Sequence, residues 1–208
     1  MRTTRTLIRR ACLAAVAVSA ALTLTACGGD SDDSASAKTS ASANASAKTS
    51  ADAHNDQDVS FAQGMIPHHQ QAVEMAGMVD GRASSAEVKD LAARIEKAQG
   101  PEIETMTGWL RTWGEQVPET MPGMGHSAHS GMAGMMTGAD MEKLKKASGK
   151  DFDTMFLTMM VEHHEGAVEM ATTEKAKGES PAATAMAGDI VIAQNAEISE
   201  MKKLLGEN

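Results

Sequence analysis

The sequence predicts an all-α domain, a four-helix bundle made of two repeated helical hairpins, and three observations predict it. The phrase MIPHHQQAVEMA from Met65 recurs as MVEHHEGAVEMA from Met160, an offset of 95 residues. The offset holds without a gap from 61 to 110: Phe61 matches Phe156, Ile95 matches Ile190, Gln99 matches Gln194, Met106 matches Met201 and Leu110 matches Leu205. Helix formers dominate the same region, with no Tyr and three Phe in the whole chain to support strands.

The elements follow in order. Residues 1–26 carry Arg2, Arg5, Arg9 and Arg10 ahead of an apolar run from Ala11 to Leu24, the pattern of a secretory signal. The run is too short to span a membrane as a mature helix. It ends in Leu24-Thr25-Ala26-Cys27, which resembles a bacterial lipobox and implies cleavage before Cys27 and lipid attachment to its sulfur. Cys12 would leave with the signal, so the mature chain would hold neither a disulfide nor a thiolate ligand. Residues 27–55 are rich in Ser, Ala and Asp, repeat the word SAKTSA at Ser36 and Ser46, and read as a disordered tether. The folded domain is expected over 56–207, enough for one core.

Its four main helices are expected at 57–80, 85–112, 151–177 and 181–205. Ser84-Ser85 and Ser180-Pro181 mark starts, and Gly81 and Gly178 mark ends. Val88, Leu91, Ile95, Gln99, Ile103, Met106 and Leu110 share one face at helical spacing. Pro67 and Pro101 each remove a helical hydrogen bond from the first hairpin, where the second copy has Glu162 and Ala196. Between the hairpins, 114–139 is a Gly- and Pro-containing loop, followed by a short helix at 139–147.

Charge narrows the function. The chain is −9 overall, and the signal contributes only basic residues, so the mature part is more acidic still. That disfavours nucleic acid and anionic lipid surfaces as partners and suits a domain that gathers cations.

The chemistry sits in the repeated phrase. At about 100° per residue, Met65, His68, His69 and Met75 share one helical face with Ala72 and Ala76. Met160, His163, His164 and Met170 do the same in the second copy, whereas Glu74 and Glu169 fall on the opposite side. Thioether and imidazole together favour Cu(I) or Ag(I) over Mg, Ca or Mn. A di-iron carboxylate site needs Glu three residues before His. Here Met65, Ile66, Met160 and Val161 occupy those positions, and Glu102 and Glu197 near the stripe are too few. Gln99 and Gln194 interrupt the apolar stripes, either as a hydrogen bond between helices or as partners behind the ligands. The loop adds Met121, Met124, His126, His129, Met132, Met135 and Met136, a cluster suited to exchangeable capture of Cu(I) or Ag(I), to a methionine-rich partner surface or to oxidation.

MIPHHQQAVEMA, MVEHHEGAVEMA and IEKAQGPEIETMTGWL resemble the bacterial domain-of-unknown-function family 305 over about 57–205. The resemblance implies a ferritin-like bundle, and some members, the CopM-type periplasmic proteins, are implicated in copper binding and resistance. It implies Met65, His68, His69, Met75, Met160, His163, His164 and Met170 as ligands. Val161-Glu162 departs from the family's usual Ile-Pro. The expectation is a lipid-anchored, extracytoplasmic copper-binding protein on the outer face of the cell membrane. It would buffer copper or pass it to a donor or acceptor protein, without catalysis. The alternatives are a ferritin-like metal oxidase and an interaction module docking through the Met-rich loop.

Overall fold

The computed structural model describes residues 53–119 and 132–207. Five helices form in order: α1 (Asp56–Gly77), α2 (Ala86–Trp113), α3 (Gly138–Lys146), α4 (Gly149–Lys177) and α5 (Pro181–Leu204). The starts of α1, α2, α3 and α5 are set by side chains that accept otherwise unpaired main-chain N–H groups. Asn55 Oδ1 accepts from Gln57 and Asp58 at 2.9 and 3.1 Å, and Asp58 returns a carboxylate oxygen to the Asn55 N–H at 2.7 Å, a complete capping box. Ser85 opens α2 and Ser180 opens α5, the latter with Pro181 in the first turn, where a missing N–H costs nothing. α1 and α2 run on through Pro67 and Pro101.

The first helix ends three residues earlier than its sequence pattern suggests. Residues 78–85 form a turn, with Gly81 at φ 75°, a left-handed conformation that glycine adopts without penalty. Asp153, on α4, pulls this turn inward. Its carboxylate accepts from the Ser84 hydroxyl, from the Ser84 N–H at 3.1 Å and from the Ser85 N–H at 3.0 Å. Asp58 is its equivalent at the 95-residue offset, and it holds the other turn, accepting from the N–H groups of Glu179 at 3.0 Å and Ser180 at 2.9 Å. Each hairpin thus clamps the turn of the other.

α1 packs along α2, α4 packs along α5, and the two hairpins meet through α1 and α4. The buried apolar residues separate into two clusters. Ala72 and Met75, late in α1, pack with Phe156 and Met160, early in α4. Phe61 and Met65, early in α1, pack with Ala167 and Ala171, late in α4. The two helices therefore run antiparallel. Every matched pair named here is split between the clusters: Phe61 from Phe156, Met65 from Met160, Ile95 from Ile190 and Met106 from Met201. An approximate two-fold rotation between the halves has this consequence, because it exchanges the two ends of the bundle.

The copies differ at Glu174, whose counterpart is Val79. Glu174 is fully buried, and its carboxyl is pushed up to about 8, first by burial and then by neighbouring Asp58. Burial alone would raise Asp58 too. Hydrogen bonds from Glu174 and from the N–H groups of Asn55, Glu179 and Ser180 outweigh burial and hold Asp58 below the usual carboxylate range. Glu174 thus keeps its proton in the folded state while the unfolded chain releases it at the ordinary value of 4.5. Its contribution to stability is full below that value and is lost as pH rises through about 8. The melting temperature is expected to fall between about pH 5 and about pH 8 and to flatten in Glu174→Gln. An unchanged decline in the variant would assign it to another group.

Candidate metal centre

The histidine pairs lie where α1 crosses α4, between the two apolar clusters. The small Ala72, Gly166 and Ala167 line the crossing and are buried, and the rings of His68 and His163 meet with centroids 3.8 Å apart, tilted by 45°. His163 and His164 are 6.4 Å apart. All four histidines are at most 1% exposed. The sequence left open whether the two pairs share a centre; the structure brings one histidine of each pair, His68 and His163, into contact.

Hydrogen bonding fixes most of the ring orientations. His69 Nε2 lies 2.7 Å from a carboxylate oxygen of Glu102, and His164 Nε2 lies 2.7 Å from one of Glu197. His68 Nε2 lies 3.2 Å from the Ala133 carbonyl. Carbonyl and carboxylate oxygens accept, so Nε2 carries the hydrogen in each case, and in a neutral ring Nδ1 then keeps the lone pair. Among the described residues those three buried Nδ1 atoms find no partner, and neither does either ring nitrogen of His163. The side-chain carbonyl oxygens of Gln99 and Gln194 are buried and unpartnered as well.

Leaving a buried polar atom unpaired costs about 1–3 kcal/mol. Seven such atoms on the four histidines and the two glutamines mark a place built to receive something. Burial, followed by the charge of His69, pushes His68 down to about 3. Burial and the neighbouring histidines hold His163 well below the usual imidazole range. Both are neutral at ordinary pH, the form that binds metal.

These donors fit a soft monovalent ion. Among the described residues, no three or more His, Cys, Asp and Glu side chains are gathered around one point. Cu(I) and Ag(I) are satisfied by two or three soft or borderline ligands, so paired imidazoles with a thioether suffice. The carboxylate behind a histidine is also what a metal ligand of this type requires, since it orients the ring and raises its basicity.

The predicted ligands do not converge on one point. Met65 and Met160 are fully buried and stand about one turn before the histidines of their helices. Met75 and Met170 lie about 10 Å further along the helix axis. Met75 sits among the apolar residues at one end of the bundle. Met170 packs beside Gly64, where a Cβ would lie 3.8 Å from its methyl and 3.7 Å from the Met132 sulfur. The eight-residue set is therefore four histidines with one near methionine per half, and two methionines placed in the packing on either side.

Glu102 and Glu197, too few for a di-iron carboxylate site, have another part here, since both orient histidines. The signal was present, since each follows its histidine by 33 residues in both copies. Among the described residues the carbonyl oxygens of Gln99 and Gln194 find no hydrogen-bonding partner. Of the loop residues, Met132 and Met135 are half-buried and Met136 is buried. Met121, Met124, His126 and His129 lie outside the described residues, as does Cys27.

Gln71 was missed altogether. Its side-chain amide holds the main chain of Met136 from both sides, donating to the carbonyl at 2.9 Å and accepting from the N–H at 2.7 Å. This draws residues 132–136 across the centre.

Solved structures of the same architecture resemble this one. A protein of Streptomyces coelicolor described as secreted is 36% identical, over 72% of this chain and 91% of that one, with a TM-score of 0.64. CopM in its Cu(II)-bound form is 35% identical over 72% of this chain and 95% of its own, with a TM-score of 0.62. Its Cu(I)-bound form is 34% identical over 71% and 94%, with a TM-score of 0.58. CopM is also similar in an Ag-bound form, at 33% identity over 71% and 93% and a TM-score of 0.56. A comparison with curated proteins gives no match. The model of the domain of unknown function DUF305 matches residues 58–205, and the chain belongs to that family.

Proposed function

We propose that this protein binds copper as Cu(I), and Ag(I) in its place, at the crossing of α1 and α4, and that it buffers or hands on the ion without catalysing a reaction. The observation that carries the reading is the set of four buried histidines whose Nδ1 atoms find no partner among the described residues, with His68 and His163 held neutral by burial. The similarity to CopM, solved with Cu(I), Cu(II) and Ag, supports copper as the metal. His68, His69, His163 and His164 would supply nitrogen, and Met65 and Met160 are the thioethers nearest along their helices. The ion supplies positive charge and Lewis acidity to lone pairs that are otherwise orphaned. Glu102 and Glu197 hold two of the rings in the binding tautomer.

The protein would act outside the cytoplasm, tethered by lipid on Cys27, with a copper donor or acceptor as its partner. The signal-like first 26 residues and the similarity to a protein described as secreted support this placement. Among the described residues no helix is long and apolar enough to cross a membrane.

The test is an anaerobic Cu(I) titration of the chain against a competing chelator at about pH 5 and about pH 7.5. Because His68 is pushed down to about 3, protons compete little for this ligand in that range. Weak binding, unaltered when all four histidines are replaced, would overturn the reading. Oxygen consumption on adding Cu(I) or Fe(II) would replace it with an oxidase.

A further inference from the structure

We infer that residues 132–136 form a clasp over the histidine centre, that its release governs how fast a soft monovalent cation enters and leaves, and that Gln71 and Gly166 are its positioning residues. The inference rests on the metal-binding reading above and adds a route to it.

Three contacts hold the clasp. Gln71 grips the main chain of Met136 at 2.9 and 2.7 Å, in a buried setting. The Ala133 carbonyl accepts from His68 Nε2 at 3.2 Å. Between them the backbone of Gly134 runs directly over α4. A Cβ on Gly134 would lie 2.6 Å from the Glu162 carbonyl oxygen and 2.9 Å from that of His163, and a Cβ on Gly166 would overlap the Ala133 carbonyl. Gly134 also has φ 78°, so two glycines are required for one close approach.

The repeat shows that this seat is a built feature. Positions 71 and 166 are equivalent at the 95-residue offset, and both are followed by Ala-Val-Glu-Met-Ala. Within that otherwise matched stretch one copy has Gln and the other Gly. A single segment crossing a two-fold centre meets the two halves differently. One half provides the amide that grips it, and the other gives up a side chain to let it pass. Glycine inside a helix is disfavoured, and the clasp supplies the reason for it here.

The clasp positions as well as covers. By accepting the Nε2 hydrogen of His68, Ala133 keeps Nδ1 as the lone pair facing the buried centre. α1, α2, α4 and α5 are held by long packed faces, whereas the clasp is irregular chain fixed by a few hydrogen bonds, so it opens at the least cost. Opening it uncovers His68 without disturbing the helix pairs.

The experiment loads the full chain with Ag(I) and follows its loss to excess thiol chelator by stopped flow, in wild type, Gln71→Leu and Gly166→Ala. Both variants are expected to keep the wild-type stoichiometry and to release Ag(I) faster by about tenfold, the effect of losing one pair of hydrogen bonds. Nitrogen-15 spectra of the histidine rings should show His68 passing from a single Nε2–H tautomer to a mixture, which a merely structural role would not produce. Release within about twofold of wild type in Gln71→Leu, with stoichiometry and the His68 tautomer unchanged, overturns the clasp and leaves the metal site standing. A wild-type chain that takes up no Ag(I) overturns the metal reading itself, and the clasp with it.

Discussion

Replacing His68 and His163 together by leucine is expected to stabilise the protein without metal and to abolish its stabilisation by Ag(I). The two rings meet at 3.8 Å in the core, tilted by 45°, and three of their four nitrogens are buried without a partner among the described residues. Each orphaned polar atom costs about 1–3 kcal/mol, and leucine fills a similar volume with no polar atom at all. The Ala133 carbonyl loses its donor in return, which offsets part of the gain. The balance should raise the apo protein's stability by about 2–4 kcal/mol in urea unfolding. Wild type at Ag(I) one hundredfold above its dissociation constant should gain about 2.7 kcal/mol, and the variant nothing. The acid limb should change as well. His68 titrates at about 3 when folded and 6.5 when free, so the unfolded chain binds more protons between these values and wild-type stability falls as pH drops through them. The variant should lose that decline. A less stable apo variant would mean that the histidines hold the bundle together and are not its cost.

Asp153→Ala is expected to lower stability by about 3–5 kcal/mol, among the largest effects of any single change here. Its carboxylate, 8% exposed, accepts from the hydroxyl and N–H of Ser84 and the N–H of Ser85. Hydrogen bonds to a charged group are worth about 1.5–3 kcal/mol each, and alanine leaves those donors without this acceptor. Asp58→Ala should be comparably destabilising through Glu179 and Ser180, and it should also return Glu174 toward an ordinary carboxyl by removing the neighbouring charge. A loss below about 1 kcal/mol in both would show that the turns are held by helix packing alone.

Much of this architecture was legible in the residues. The two hairpins and the helix starts follow from local rules, namely apolar periodicity, serine caps and a long gapless repeat. Ser85 and Ser180 stand at the N-caps where the sequence places them, and both His pairs are turned inward on the face shared with Met65 and Met160. Met75 and Met170 share that face on a helical wheel, but a wheel has no axial coordinate, and the rise along the helix separates them from the histidines. Glu102, Glu197, Asp58 and Asp153 all recur at the repeat offset. Their partners, however, lie on other helices, and composition or spacing along one helix says nothing of those. Gln71 and Gly166 were visible only as a mismatch inside the repeat.

The sequence by itself determined a doubled helical hairpin, the choice of imidazole and thioether over carboxylate ahead of the histidines, and hence a preference for soft metal. These are properties of residue type and of periods of a few residues, which the chain carries wherever it goes. Only the tertiary structure decided that His68 and His163, one from each pair, meet at the helix crossing, that two glutamates and a main-chain carbonyl orient the rings, and that one segment breaks the symmetry by crossing over them. Those facts depend on the antiparallel register of α1 against α4, which is set by packing the ends of the two hairpins into common apolar clusters, and no local pattern encodes it.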